Sequence, residues 1–146
     1  MQIQFMLTRP GAKAPAYATP GSAAADLCAV LDAPRTLEPG GRAMVPTGLA
    51  IQLPGPEYVA LVCARSGLAV KHGLTLSNGV GVIDSDYRGE IQVGLVNLCG
   101  EAYTIQPGER VAQLMILPVA QAAFCQVQQL EDTDRGAGGF GSTGRA

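Results

Sequence analysis

The sequence lacks the features that membrane spans, nucleic-acid surfaces and metal clusters require. It has no tryptophan and one histidine, and charged residues make up only 15% of its 146 residues. No apolar run approaches the roughly 18 residues of a membrane span, and the first residues lack the basic segment and apolar core of a signal peptide. A net charge of −2 excludes general nucleic-acid binding through a basic surface. We therefore expect a cytoplasmic globular protein with neither nucleic acid nor membrane as a partner.

Cysteine and histidine are too sparse for a structural zinc site. The four cysteines are far apart and form no C-x-x-C pair, and His72 is the single histidine, so the usual four-ligand set cannot be assembled. Three of the cysteines stand in apolar, strand-like stretches. This pattern predicts free, mostly buried thiols of a reducing compartment, and we interpret His72 as a structural or capping residue.

Glycine and proline are abundant, with 19 and 10 copies, about one residue in five against an average near 12%. Helix interiors rarely tolerate either residue. The longest stretches free of both are 119–135 and 22–33. Long helical bundles, coiled coils and helical solenoids are therefore excluded.

Short apolar segments predict strands, because they either alternate with polar residues or run continuously for the length of one strand. These segments are 3–7, 45–53, 58–64, 91–95 and 111–117. Pro46, early in the second segment, indicates an edge strand. Turn-forming residues separate the segments. The pattern predicts a single-domain, all-β antiparallel sandwich or barrel.

Two further segments also permit a helix. Residues 22–33 are rich in alanine, and 119–130 has apolar residues three apart. In a chain of strands we interpret both as strands. Only 67–73, which is bracketed by glycines, predicts a short helix.

Three polar clusters stand out from this apolar background. Asp26 is a carboxylate in an apolar stretch, and Arg65, Ser66 and Gly67 follow an apolar run directly. A cation and a hydroxyl between a strand and a helix suit an anion. Residues 78–89 contain two short apolar stretches around an acidic turn, which predicts a β-hairpin. Each cluster alone is also compatible with an ordinary turn.

The last twelve residues, 135–146, contain five glycines and one large apolar side chain. Such a segment cannot bury enough surface to order itself. It fits either a frayed tail or a phosphate-wrapping loop, since it also carries serine, threonine and two arginines.

Taken in order, these clusters resemble the five motifs of the trimeric dUTP diphosphatase (dUTPase) family, and the resemblance spans nearly the whole chain. The matching segments are SAAADLCA (22–29), ARSGLAVKHG (64–73), NGVGVIDSDYRG (78–89), GERVAQL (108–114) and RGAGGFGS (135–142). One such motif is weak evidence, but five in register are highly specific.

The resemblance implies a jelly-roll β-barrel domain over 1–134 with one short helix, followed by a flexible arm over 135–146 that closes over the active site. It implies a homotrimer whose three active sites each draw on all three chains. It also implies hydrolysis of dUTP to dUMP and pyrophosphate with Mg²⁺, an activity that limits uracil in DNA and supplies dUMP for dTMP synthesis.

The resemblance further assigns roles to individual residues. Asp84 would be the catalytic base that activates the attacking water, and Asp26 would help to hold Mg²⁺ through water or brace the site. The residues expected to contact uracil and the sugar are Asn78, Val82, Ile83, Asp84, Tyr87 and Gln92. Those expected to hold phosphates are Arg65, Ser66, Gly67 and Gln113. In the arm, Phe140 would stack on uracil, while the other expected contacts are Arg135, Gly141, Ser142 and Thr143.

Two other functions remain open at this point. A dCTP deaminase would share the fold but needs a glutamate acid/base, and Glu90, which follows the third motif, lacks the matching neighbours. A non-enzymatic jelly-roll protein, structural or nucleotide-sensing, would need no base such as Asp84.

Overall fold

The structure, a computed structural model, describes residues 1–139, and its regular structure is almost entirely strand. The strands are β1 (Gln4–Leu7), β2 (Ala16–Tyr17), β3 (Ala25–Cys28), β4 (Arg35–Leu37), β5 (Arg42–Pro46), β6 (Leu49–Gln52), β7 (Tyr58–Ala64), β8 (Leu74–Leu76), β9 (Gly81–Ile83), β10 (Gln92–Asn97), β11 (Tyr103–Ile105) and β12 (Arg110–Pro118). Within the described residues there is one helix, α1 (Ser66–His72). No helix of this part of the chain is long and apolar enough to cross a membrane. The all-β prediction with one short helix is confirmed.

All strand pairs are antiparallel, and the largest sheet has the order β2-β3-β12-β7-β9. The other sheets are β5-β10-β8, β1-β6 and β11-β4. Strand β12 lies at the centre of the largest sheet and pairs with both β3 and β7. Its register puts Gln113 beside Asp26 on one side and Cys63 on the other. Two of the three polar clusters, Asp26 and Arg65–Gly67, therefore meet Gln113 of the fourth motif candidate at one end of this sheet.

The core lies between the sheets and is built from aliphatic side chains. Its largest fully buried members include Leu27, Leu49, Leu74, Ile91, Leu95, Ile105 and Val111. Thr47 and Asn97 are the buried polar residues of the described chain. Thr47 donates to the Ile91 carbonyl at 2.6 Å, and the Asn97 amide donates to the carbonyls of Leu37 and Glu101 at 2.9 and 2.8 Å. These bonds offset the desolvation of both side chains.

The predicted continuous strand over 45–53 is wrong. It breaks at Gly48, which has a φ of 64°, and the two halves join different sheets as β5 and β6. A left-handed residue cannot continue a strand ladder, and glycine adopts this conformation without steric penalty. Pro46 ends β5, which is an edge strand as predicted.

The predicted β-hairpin over 78–89 is also wrong. β9 pairs with β7, whereas the next strand, β10, pairs with β5 and β8 in another sheet. The acidic turn therefore connects two sheets. Local turn chemistry is the same in both cases, so the sequence does not distinguish a hairpin from a crossing between sheets.

The two segments that also permitted a helix differ in outcome. Residues 22–33 contain β3, so the strand prediction is confirmed there. Residues 119–130 form neither a helix nor a strand, and Phe124 is 99% exposed. Without a packing surface, this apolar spacing does not stabilise either structure.

Helix α1 agrees with the predicted short helix to within a residue. It ends at Gly73, which has a φ of 63° and donates its N–H to the Ala69 carbonyl. This is the usual glycine stop of a helix. The cysteines differ from prediction, because Cys28, Cys63 and Cys99 are only partly buried and Cys125 is exposed, although all four are free thiols.

Candidate functional site

One cavity, which we call the Asp84 pocket, gathers five of the predicted residues. Its volume is about 400 Å³. The lining residues are Met44, Val82, Ile83, Asp84, Tyr87, Glu90, Ile91 and Gln92. The predicted members come from β9, from the acidic turn and from the start of β10.

The acidic turn holds Asp84 at the end of β9. Its backbone is closed by a Tyr87 N–H to Asp84 carbonyl bond of 3.2 Å, and the Arg88 guanidinium donates to the carbonyl of Ser85 at 2.8 Å. Asp84 is exposed, so its carboxylate can accept a hydrogen bond from a water molecule in the pocket. A carboxylate in this position can act as a general base.

A second cavity, the cationic cleft, has a volume of about 520 Å³ and lies at the other end of the largest sheet. Its charged lining residues are the cations Lys13, Arg65 and Arg110 and the carboxylates Asp26 and Glu109. Two of the three cations carry the planar guanidinium group that binds phosphate in a bidentate manner. The excess of positive charge suits an anionic ligand.

Asp26 lies between the two arginines of the cleft. One carboxylate oxygen is 3.3 Å from Arg65 Nε and the other is 3.0 Å from Arg110 Nη1. Arg65 also donates to the Arg110 carbonyl at 2.8 Å. The Asp26 side chain is 19% exposed, so its charge is compensated mainly by these two groups. Asp26 thus orients both guanidinium groups at the cleft.

The other predicted phosphate contacts lie close to Arg65. Ser66 and Gly67 are the first two residues of α1 and are exposed. The Gln113 amide donates to the Ala64 carbonyl at 2.9 Å. β12 is therefore tied directly to the residue that precedes Arg65.

The cationic cleft and the Asp84 pocket lie at opposite ends of β7. Ile83 pairs with Ala60, so the following residue, Asp84, lies near Val59, six positions before Arg65. At about 3.3 Å per strand residue, the backbone positions of Asp84 and Arg65 are roughly 20 Å apart, a gap that their side chains are too short to close. Within one chain, the candidate base and the candidate phosphate-binding residues cannot act on the same bond, because a general base works within about 3 Å of its proton.

Some predicted site residues lie elsewhere. Asn78 is exposed in the turn between β8 and β9, outside the lining of the Asp84 pocket. Arg135 makes a local bond to the Gly138 carbonyl at 2.9 Å. The predicted contacts Phe140, Gly141, Ser142 and Thr143 lie outside the described residues.

Tyr103 supports the loop at the edge of the cleft. Its hydroxyl donates to Glu109 Oε1 at 2.6 Å, while Glu109 Oε2 accepts the Gln106 N–H at 2.8 Å. Its ring centre lies 5.2 Å from that of His72, at the end of α1. Burial, followed by the hydrogen bond to Glu109 and that carboxylate's charge, raises the pKa of Tyr103 to about 12, with Arg65 opposing the shift. Tyr103 therefore connects α1 to the start of β12.

Several lining residues lie outside the sequence motifs. Met44 reaches the Asp84 pocket from β5 of the neighbouring sheet, and Ile91 lines it from the position before β10. Lys13 reaches the cleft from the segment before β2. No motif marks Met44 or Ile91, because both also fit ordinary strand patterns. Lys13 is an isolated cation in a stretch of alanine and proline, which is the one signal that could have singled it out.

The fold and the two cavities define a class of protein: an all-β protein with a carboxylate-bearing pocket and a separate cleft suited to an anion. Comparison with known proteins then identifies the family. The dUTPase family model matches residues 11–144. The chain belongs to the dUTPase family.

Bacterial relatives match over most of the chain. A protein named deoxyuridine 5'-triphosphate nucleotidohydrolase from Aeromonas salmonicida is 56% identical over 131 residues, covering 90% of this chain and 86% of its own length. A protein of the same name from Ralstonia nicotianae is 50% identical over 145 residues, covering 99% of this chain and 98% of its own.

Solved dUTPase structures share the fold. A mutant dUTPase of Staphylococcus bacteriophage 80alpha with dUpNHpp aligns with a TM-score of 0.88 at 27% identity over 99% of each chain. A mutant dUTPase of phage phi11 of S. aureus, whose structure details a structural Mg(II) ion, aligns with a TM-score of 0.80 at 25% identity, covering 90% of this chain and all of that one. The jelly-roll-like fold expected from the motifs is confirmed.

Proposed function

We propose that this chain hydrolyses dUTP to dUMP and pyrophosphate, an activity that limits uracil in DNA and supplies dUMP for dTMP synthesis. The observation that carries the proposal is the Asp84 pocket, where an exposed carboxylate lies beside Val82, Ile83, Tyr87 and Gln92. Family membership supports the same reaction. We propose that it takes place in the cytoplasm, on the free nucleotide pool.

In the proposed step, a water molecule held by Asp84 attacks the α-phosphorus in line with the leaving group. The new bond joins the water oxygen to the α-phosphorus, and the bond from that phosphorus to the bridging oxygen of the β-phosphate breaks. The Asp84 carboxylate takes the water proton, and pyrophosphate leaves with the bond's electron pair. Phosphoryl transfer needs positioning and charge neutralisation more than covalent help, so one base, a metal ion and arginines supplied by another subunit suffice.

The walls of the pocket provide the proposed selectivity. The backbone of Val82 and Ile83 would supply hydrogen-bonding groups for uracil, and the Tyr87 ring would pack against the deoxyribose. A buried polar mismatch discriminates far more strongly than a missing methyl contact. This arrangement favours dUTP over dCTP, dTTP and UTP.

Magnesium fits the site as an ion bound largely through substrate. No cluster of three or more metal-ligating side chains occurs among residues 1–139. Mg²⁺ commonly uses one or two carboxylates, waters and substrate phosphates, so no protein cage is required. Asp26 would take part through water, although its pairing with Arg65 and Arg110 suits a bracing role better. When bound, the ion would neutralise charge on the phosphates.

We further propose that active sites form between subunits of a homotrimer. The separation of about 20 Å between Asp84 and Arg65 along β7 supports this, because one dUTP could then lie between the Asp84 pocket of one chain and the cationic cleft of another. Residues 135–146 would close over the bound nucleotide. Light scattering with gel filtration tests the assembly, and a monomeric active enzyme would contradict it.

The deaminase alternative is disfavoured by the surroundings of Glu90. Its carboxylate accepts bonds from Arg9 Nε and from the Gly48 N–H, each at 2.8 Å. A carboxylate bound in this way is poorly available to move protons. Incubation with dCTP tests the alternative, and release of ammonia would support it.

The decisive experiment measures pyrophosphate release from dUTP, dCTP, dTTP and UTP with Mg²⁺, side by side. We expect rapid release from dUTP alone. Tight binding of dUTP without turnover would instead support a nucleotide-sensing protein, and equal rates on all four nucleotides would exclude the proposed selectivity.

A further inference from the structure

Two residues of the same loop, Gly89 and Glu90, determine where the Tyr87 ring lies. Its hydroxyl donates to the Glu90 carbonyl at 3.0 Å. Between them, Gly89 leaves room for the ring, since a Cβ at that position would lie 2.6 Å from Tyr87 Cζ. The orientation of Tyr87 at the pocket thus depends on the location of Glu90.

Glu90 is in turn bound by residues far away in the sequence. Arg9 Nε donates to both carboxylate oxygens at 2.8 Å, and the Gly48 N–H donates to Oε1 at 2.8 Å. The Glu90 side chain is 14% exposed and that of Arg9 is 46% exposed. We call this arrangement of Arg9, Gly48 and Glu90 the clasp.

Gly48 permits the clasp because of its backbone conformation and its lack of a side chain. Its φ is 64°, and a Cβ there would lie 2.5 Å from Ala12 Cβ and 3.4 Å from Arg9 Cβ. The segment that carries Arg9 can therefore pack directly on Gly48. On either side, Thr47 donates to the Ile91 carbonyl and the Ile91 N–H donates to the Leu49 carbonyl at 2.8 Å. The loop is consequently tied down beside the Asp84 pocket.

We propose that Arg9 is a positioning residue for sugar selection, acting through Glu90 to hold Tyr87 at the wall of the pocket. The proposal rests on the proposed function, in which Tyr87 packs against the deoxyribose. Arg9 is not part of the pocket lining and acts only through the loop. A rigid wall excludes a ribose 2′-hydroxyl, whereas a ring free to move makes room for it, since selectivity depends on support from residues behind the contact surface.

The test compares Arg9→Ala, Arg9→Lys and the matched control Arg42→Ala, an exposed arginine on β5. The measured quantity is the ratio of kcat/KM for dUTP to that for UTP. We expect Arg9→Ala to lower this ratio about five- to tenfold, as for loss of a hydrogen-bonded charged group, mainly through faster UTP turnover. Arg9→Lys should restore part of the ratio, and Arg42→Ala should leave it unchanged.

A double-mutant cycle with Tyr87→Phe tests the route of the effect. If Arg9 acts through Tyr87, the losses in Arg9→Ala and Tyr87→Phe will not add in the double mutant. Additive losses, or an unchanged ratio in folded Arg9→Ala, would overturn the proposal. If Arg9→Ala does not fold, the proposal would be overturned by an unchanged ratio of kcat/KM for dUTP to that for UTP in both Arg9→Lys and Glu90→Gln.

Binding of dUMP and UMP, measured by calorimetry on the same proteins, separates this proposal from the proposed function. Failure of the wild-type chain to hydrolyse dUTP would count against the function alone. The binding preference for dUMP over UMP would still show whether the Tyr87 ring is held at the wall of the pocket. Equal preference in wild type and Arg9→Ala would overturn the role of Arg9.

Discussion

The Tyr103 hydroxyl donates to Glu109 Oε1 across 2.6 Å, and this bond joins β11 to the loop that leads into β12. Removing the phenolic proton would leave two negative oxygens in contact. This is why burial and Glu109 raise the pKa of Tyr103 from 10.0 to about 12.

The first prediction concerns stability in alkali. Because the folded state binds the Tyr103 proton more tightly than the unfolded state does, its contribution to stability is complete below pH 10 and is lost between pH 10 and about 12. The free energy of unfolding of wild type should therefore fall toward that of Tyr103→Phe over this range. Urea unfolding at several pH values measures the difference. A constant gap between the two proteins would contradict the assigned pKa.

The second prediction concerns the base. Asp84→Asn should bind dUTP but lose about 10²- to 10⁴-fold in kcat, since the amide cannot accept the water proton. Asp86→Asn is the matched control, because it removes the same charge from an exposed position in the same turn; its kcat should change little. Steady-state kinetics with calorimetric binding distinguishes turnover from affinity. An unchanged kcat in Asp84→Asn would exclude Asp84 as the base.

The third prediction concerns two glycines with positive φ. A Cβ added at Gly73, where φ is 63°, would lie 2.6 Å from the Cys99 backbone nitrogen. A Cβ added at Gly40, where φ is 74°, would lie in open space. Alanine at either position should cost about 1–2 kcal/mol for the left-handed backbone, and Gly73→Ala should cost more because α1 must move. Denaturant unfolding compares them. Equal losses would show that the contact with Cys99 is relieved without cost.

The fourth prediction concerns the arm. Deleting 135–146 should leave the barrel folded, because the described part of the arm bonds only within itself and to Thr133. Activity on dUTP should fall by about 10²-fold, the effect of losing a positioning element. Deleting 144–146 is the control, since it retains every arm residue assigned a contact. Full activity of the longer deletion would support a frayed tail.

Local patterns predicted much of the fold. The apolar runs at β7 and β12, the glycine stop at Gly73 and the edge position marked by Pro46 all follow from neighbouring residues. The prediction of a hairpin over 78–89 is wrong because turn residues specify a change of chain direction and do not specify which strand pairs next. The prediction of a strand over 119–130 is wrong because apolar spacing stabilises regular structure only where there is a surface to pack against.

Candidate residues were predictable where a motif contains them, as with Asp84 and Arg65. Met44, Lys13 and the Arg9–Glu90 pair were not, since each reaches its site from a distant segment with no local signature. Arg9 and Glu90 are 81 positions apart, and nothing near either residue indicates the other.

By itself, the sequence determined the exclusion of long helices, the positions of most strands and turns, and the five ordered motifs that identify the family. These depend on side-chain type and on periodicity over a few residues. Only the tertiary structure decided that the motifs separate to opposite ends of β7, and that Arg9, Gly48 and Glu90 meet behind the Asp84 pocket. Such contacts depend on which distant strands pair and on a glycine that lets two segments approach, and these are properties of the whole folded chain.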